Sequence, residues 1–114
     1  MPALNPEIAD TSWKRMKGLM FRKSPGRGML FVFDEPCFPG IWMLGMRFRI
    51  DIVFLDSERR VVDFFENARP VSLNPRSWRI YKPRRPARYA LELPAGSIRK
   101  MGISEGKKID IRDF

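Results

Sequence analysis

The sequence predicts a mainly β protein, a compact antiparallel β-sandwich or small barrel with one short N-terminal helix, and three features carry that expectation. From residue 29 onward, short runs rich in Phe, Ile and Val alternate with clusters of Gly, Pro, Asp and Ser, the punctuation of strands and turns. No crossover helix of about a dozen residues, which a parallel sheet would require, is visible between these runs. The 114 residues suit one domain spanning 1–114, and folding at this size removes roughly two-thirds of the unfolded surface from water, enough for one modest core.

The elements follow in order. Residues 10–19 begin with the capping side chains of Asp10 and Thr11 and place Trp13, Met16 and Leu19 or Met20 at helical spacing; one short helix is expected, loosened or ended by Gly18. Strands are expected at 29–33, 41–47, 50–55, 60–66, 78–81 (the weakest), 88–93 and 107–112, with a hairpin connection at Asp56, Ser57, Glu58 and Arg59. The long connection is 69–87, broken by Pro70, Pro75, Pro83 and Pro86, which cannot donate to a sheet ladder.

Composition excludes several chemistries. The chain has no histidine and one cysteine, so zinc, haem and iron–sulfur sites within one chain are ruled out, as are nucleophile systems that use imidazole as base. No metal and no cofactor is expected. The longest apolar stretches, 29–33 and 40–46, fall well short of the roughly 18 residues of a bilayer span, so no membrane span is expected. The N-terminus lacks the basic start and apolar core of a secretory signal and Cys37 has no disulfide partner, which makes the cytoplasm the expected location.

Four ordered runs, Gly18-Leu19-Met20-Phe21-Arg22, Gly28-Met29-Leu30-Phe31-Val32-Phe33, Trp42-Met43 followed by Ile50-Asp51-Ile52-Val53-Phe54-Leu55-Asp56, and Leu91-Glu92-Leu93-Pro94-Ala95-Gly96, resemble the domain-of-unknown-function 192 family of bacteria and archaea. The resemblance spans about 9–109. It implies a compact, mainly β domain of sandwich or barrel type with one helix near its N-terminus, and no established activity, substrate or cofactor. Two departures stand out: Gly45-Met46-Arg47 replaces the Asn-Thr usual after the Trp-Met pair, and little chain precedes the helix, so the usual first strand is expected to be shortened or absent.

Two constellations are candidate sites. The net charge is +9, and the segment 69–88 holds Arg69, Arg76, Arg79, Lys82, Arg84, Arg85 and Arg88 with no acidic residue, interleaved with Trp78, Tyr81 and Tyr89 at its end. Cations with flat aromatic faces suit the phosphates and bases of single-stranded nucleic acid. The competing structural reading has Trp78 and Tyr81 pinning the loop to the core while the arginines stay in water. The second constellation is Asp51 and Glu92, carboxylates within otherwise apolar strands, where a charge is costly unless paired. Arg22 and Arg49 are the partner candidates, and a buried ion pair fixing helix to sheet is the leading expectation. The alternative has both carboxylates meeting in a cleft to divide acid and base roles.

Met20, Met29, Met43 and Met46 with Trp42 read first as core and second as an adaptable recognition surface. Cys37 has no basic neighbour in sequence to favour its thiolate and is expected to be inert. Gly96, Ser97 and Gly102 lack the order of a phosphate loop, and Asp56-Ser57-Glu58 lacks the later ligands of a calcium loop; both read as turns. The favoured function is a non-catalytic binding or accessory module engaging an anionic partner, RNA or an acidic protein surface, through Arg76, Trp78, Arg79, Tyr81, Lys82, Arg84, Arg85 and Arg88. The alternative is a small carboxylate-based hydrolase or small-ligand-binding protein centred on Asp51 and Glu92. A structural or oligomerising domain with apolar surface around Trp42, Met43 and Met46 is the third reading.

Overall fold

The computed structural model describes residues 3–114; Met1 and Pro2, which enter the reading of the N-terminus, lie outside the described residues. Its centre is a five-stranded sheet of β1 (Glu7–Ala9), β2 (Met29–Cys37), β4 (Ile50–Leu55), β5 (Val61–Ala68) and β7 (Ala87–Pro94), in the order β1-β2-β7-β4-β5. All neighbours are antiparallel except β1 and β2, which run parallel. The first strand is thus present but only three residues long. A separate two-stranded sheet joins β3 (Ile41–Trp42) to β6 (Ile80–Tyr81). With β1 and β5 at open edges the large sheet does not close into a barrel.

Side chains alternate across a strand, and here both faces of the sheet are buried. Met29, Phe31, Ile50, Ile52 and Phe54 face one cluster, which includes Met43 and Tyr81 and against which Ile41 packs. Leu30, Val53, Leu55, Leu91 and Leu93 face the other, closed by Ile98, Ile103, Ile109 and Ile111. This double burial explains why β4 reads as a continuous apolar run and is buried at every position. The single modest core expected from length is split in two by the sheet.

Helix α1 (Ser12–Lys17) starts where Thr11 Oγ1 accepts from Lys14 N at 3.1 Å and ends at Gly18, with φ 49°. Its apolar side chains do not face the core: Trp13 and Met16 are 70% and 72% exposed. The helix stops two residues before Leu19, whose side chain reaches the interior at 1% exposure. The hairpin at 56–59 is as expected, closed by Arg59 N to Asp56 O and with Asp56 Oδ1 accepting from Glu58 N and Arg60 N.

Three expectations need correction. Of 41–47 only Ile41 and Trp42 pair, because the chain then turns at Met43, whose carbonyl accepts from Met46 N. The segment 107–112 is not a strand: it splits its backbone hydrogen bonds between Arg59 and Val61 on one side and Leu4 on the other, leaving isolated bridges. A second helix, α2 (Ser97–Met101), lies where turns were expected, bounded by left-handed Gly96 and Gly102.

Candidate functional site: a carboxyl at the floor of an apolar cavity

The two buried carboxylates do not meet. Asp51 stands opposite Leu93 in the β4–β7 ladder and Glu92 stands opposite Ile52, so adjacent register positions send them to opposite faces of the sheet. Asp51 is fully buried on the α2 side, where Oδ1 accepts from Asn67 N and Oδ2 from Ile98 N, both at 2.8 Å. It caps α2 across the fold rather than pairing with an arginine. Arg22 instead pairs with Glu7 on β1, and the hydrogen bond from that guanidinium holds the Glu7 carboxyl below its usual range. Arg49 is exposed and, among the described residues, bridges no carboxylate. Neither the ion pair expected of Asp51 and Glu92 nor the carboxylate dyad forms.

Glu92 is 4% exposed, and no described residue bonds to its carboxyl. Every fully buried side-chain oxygen and nitrogen among the described residues has a partner, so the unpaired Glu92 oxygens keep contact with the open space of a cavity. Desolvation alone pushes the carboxyl from 4.5 to about 8, so the group is largely neutral at pH 7. It lies against this cavity of about 540 Å³, lined by Met16, Met20, Met46, Phe31, Phe33 and Trp42, with Arg15 and Lys17 also on its wall. Arg15 is engaged there, donating to Asp10 O and Val32 O with its guanidinium 5.5 Å from the Phe33 ring centre.

Local backbone shapes the cavity. Gly28 lies so close to β7 that a Cβ would stand 2.5 Å from the Glu92 main-chain carbonyl oxygen, which seats the start of β2 tightly against the β7 backbone. Gly45, at φ 74°, closes the turn after Met43, and a Cβ there would stand 2.5 Å from Met20 Cγ. The Gly45-Met46-Arg47 departure from the family pattern thus sits at the cavity wall. Of the candidate methionines, Met29 and Met43 are core, while Met20 and Met46 line the opening. Cys37 is half-buried, its thiol pushed up by burial and by Glu35, consistent with an unreactive side chain.

The basic segment is exposed but partly committed. Arg84 and Arg85 both pair with Glu105, Arg88 donates to Phe33 O, and the Arg79 guanidinium lies over the rings of Phe65 and Tyr81 at 5.1 and 4.7 Å. Tyr81 and Tyr89 are buried, so neither can stack on a base. Trp78 is exposed and donates through Nε1 to Ser72 O, and Arg69, Arg76 and Lys82 are exposed. Sequence reasoning missed Phe31, Phe33, Met16 and Lys17 as site residues. The spacing of Trp13 and Met16 marks the short helix but not the direction in which its apolar side chains face.

Among the described residues no helix is long and apolar enough to cross a membrane, and no group of three or more acidic or cysteine side chains is placed to hold a metal ion. Comparison with known proteins agrees with the motifs. An uncharacterised protein of Thermococcus gammatolerans is 40% identical over 105 residues, covering 90% of this chain and 63% of its own length. One from Pyrococcus furiosus is 38% identical, covering 90% of this chain and 83% of the relative. This chain therefore spans less than two-thirds of the Thermococcus relative. Crystal structures of a proposed transcription regulator from Sinorhizobium meliloti and of a protein of unknown function from Novosphingobium aromaticivorans superpose with TM-scores of 0.79, at 35% and 31% identity. Each covers 90% of this chain, which spans 77% and 71% of those chains respectively. The family model described as "Uncharacterized ACR, COG1430" matches residues 2–111. Motif order, fold and relatives coincide over nearly the whole length: the chain belongs to the domain-of-unknown-function 192 family.

Proposed function

We propose that the protein is a non-catalytic, cytoplasmic binding module whose apolar cavity takes a small, largely apolar molecule carrying a hydrogen-bond acceptor. The observation that carries this reading is Glu92, a largely buried carboxyl with no partner among the described residues, lining a cavity walled mainly by apolar side chains, with Arg15 and Lys17 at its edge. A neutral carboxyl there donates its proton to a ligand carbonyl or ether oxygen and supplies orientation, while the thioether and aromatic walls supply contact area. A cationic ligand fits less well, because the net charge is +9 and Lys17 stands on the cavity wall. Binding is favoured over hydrolysis because Asp51, the other buried carboxylate, is on the far face of the sheet.

Acetophenone and ethylbenzene test the reading, since they differ chiefly in the carbonyl. Methyl NMR signals of Met16, Met20 and Met46 are expected to shift with both, and acetophenone to bind about tenfold more tightly, the worth of one hydrogen bond. Glu92→Leu is expected to remove that preference while retaining ethylbenzene. No methyl shift with either compound, or an unchanged preference in Glu92→Leu, would refute the proposal.

A second reading rests on Trp78, Arg76 and Lys82, exposed together on the excursion 69–88. It supports an anion-binding surface for RNA or an acidic protein, in keeping with the regulator role proposed for the Sinorhizobium relative. Because Arg84 and Arg85 are held by Glu105, the discriminating variant neutralises Arg69, Arg76 and Lys82. Salt-sensitive RNA retention unaffected by that change would dismiss this surface.

A further inference from the structure

Six large apolar side chains stand exposed around the cavity mouth and the turns beside it: Trp13, Met16, Phe21, Phe38, Trp42 and Leu44. Met16, Trp42 and Leu44 line the cavity itself. Phe21 holds φ 65°, a left-handed backbone that is costly for a bulky side chain. Its amide donates to Gly45 O, and its ring lies beside Gly45 while remaining 66% exposed. The strained turn thus leaves a phenyl group on the surface. A patch of this kind on a soluble chain marks an interaction surface.

Beside it is a second hollow, of about 500 Å³, lined by Trp13, Lys14, Lys17, Arg22, Arg27 and Glu7 among others. Lys17 and Gly18 line both spaces. Four cations therefore border this hollow against one carboxylate, Glu7, which is already paired to Arg22; Lys14 has only a 4.0 Å approach to Asp10, both side chains being well exposed. Exposed aromatic and thioether side chains next to a cluster of lysine and arginine form the pattern that settles into an anionic lipid interface: the apolar groups enter the acyl boundary and the cations meet phosphate.

We infer that this face docks on the surface of an anionic phospholipid bilayer, with the hollow between Lys14, Lys17 and Arg27 receiving a headgroup phosphate and the cavity of Glu92 opening toward the lipid. Charge complementarity selects this occupant over a second copy of the chain, whose own +9 charge would oppose it. The inference rests on the cavity reading for its purpose, since it makes the bilayer the source of the apolar ligand, but its test is separate.

The test is flotation with phosphatidylglycerol–phosphatidylcholine vesicles against phosphatidylcholine alone. Retention on the anionic vesicles is expected, with about a fivefold loss for each cation removed near the surface, hence about a hundredfold for Lys14→Gln/Lys17→Gln/Arg27→Gln together. Arg99→Gln/Lys100→Gln/Arg112→Gln removes equal charge from the α2 side and is expected to change retention less than threefold. A chain keeping Trp13 as its sole tryptophan, through Trp42→Phe and Trp78→Phe, is expected to be quenched by brominated phosphatidylcholine mixed into the anionic vesicles. Absence of retention, equal loss in both triple variants, or an unquenched Trp13 overturns the docking surface. If acetophenone still binds the unmodified protein in solution, the cavity reading survives that failure.

Discussion

Replacing Glu92 by glutamine removes a titration without removing the side chain's shape, and its effect on stability is fixed in sign by the burial. The native carboxyl titrates at about 8 against 4.5 for the ordinary group. Below 4.5 both folded and unfolded chains carry the proton. Between the two values the unfolded chain releases it and the native chain keeps it, so native stability falls as pH rises through this window and levels off above about pH 8. At about 1.4 kcal/mol per pH unit the loss comes to about 5 kcal/mol, a large share of the 5–15 kcal/mol typical of a domain. Glu92→Gln lacks this dependence. Urea unfolding of the two proteins at intervals from pH 4.5 to 8.5 should therefore show the variant gaining on the parent by about 5 kcal/mol across the range. Two curves that stay parallel would mean that Glu92 is well solvated or partnered in solution, and a desolvated carboxyl would be refuted.

Three other substitutions probe the same architecture. Asp51→Ala strands two amides that share one carboxylate, Asn67 N and Ile98 N; a loss of about 3 kcal/mol is expected, with amide exchange in α2 accelerating more than in β7. Gly45→Ala forces a Cβ onto Met20 at a positive φ, so a loss of about 1–3 kcal/mol in denaturant unfolding is expected, accompanied by weaker acetophenone binding as Met20 shifts. Glu7, whose carboxyl is depressed by Arg22, contributes stability that is present above pH 4.5 and lost as pH falls through its native value; Glu7→Gln should flatten the acid limb of a pH–melting profile and leave the region above pH 5 unchanged in slope.

The parts of the fold legible in the sequence are those where local pattern and final environment agree. The run 50–55 reads as a strand and is one, because both of its faces meet apolar layers. Capping by Thr11 and termination at Gly18 were likewise readable, being local hydrogen-bond chemistry. The segment 107–112 failed for the opposite reason: Ile109 and Ile111 alternate as a strand would, but the segment divides its backbone partners between Arg59 and Val61 in mid-chain and Leu4 near the N-terminus. Helix α2 was invisible because the group that caps it, Asp51, stands far away in sequence.

The site was half legible. That Asp51 and Glu92 are costly to bury follows from their neighbours alone, whereas the face each occupies depends on a register between strands that no local pattern encodes. The basic segment was visible as charge, but Glu105, Phe65 and Phe33 engage four of its arginines from elsewhere in the chain. Trp13 and Met16 have helical spacing, but spacing does not say which way that face turns, and in the six-residue helix both stand exposed.

The strand order has a temporal meaning. β2 and β4 do not touch each other; each is joined to the sheet through β7, which is the last of the seven to be synthesised. Until residue 94 has emerged, only the β4–β5 hairpin can zip from nearby contacts, and the apolar edges of β2 and β4 wait without their mate. A sheet assembled around its latest arrival has high contact order and folds slowly, and in the interval those waiting strands are the segments most exposed to aggregation or to a chaperone.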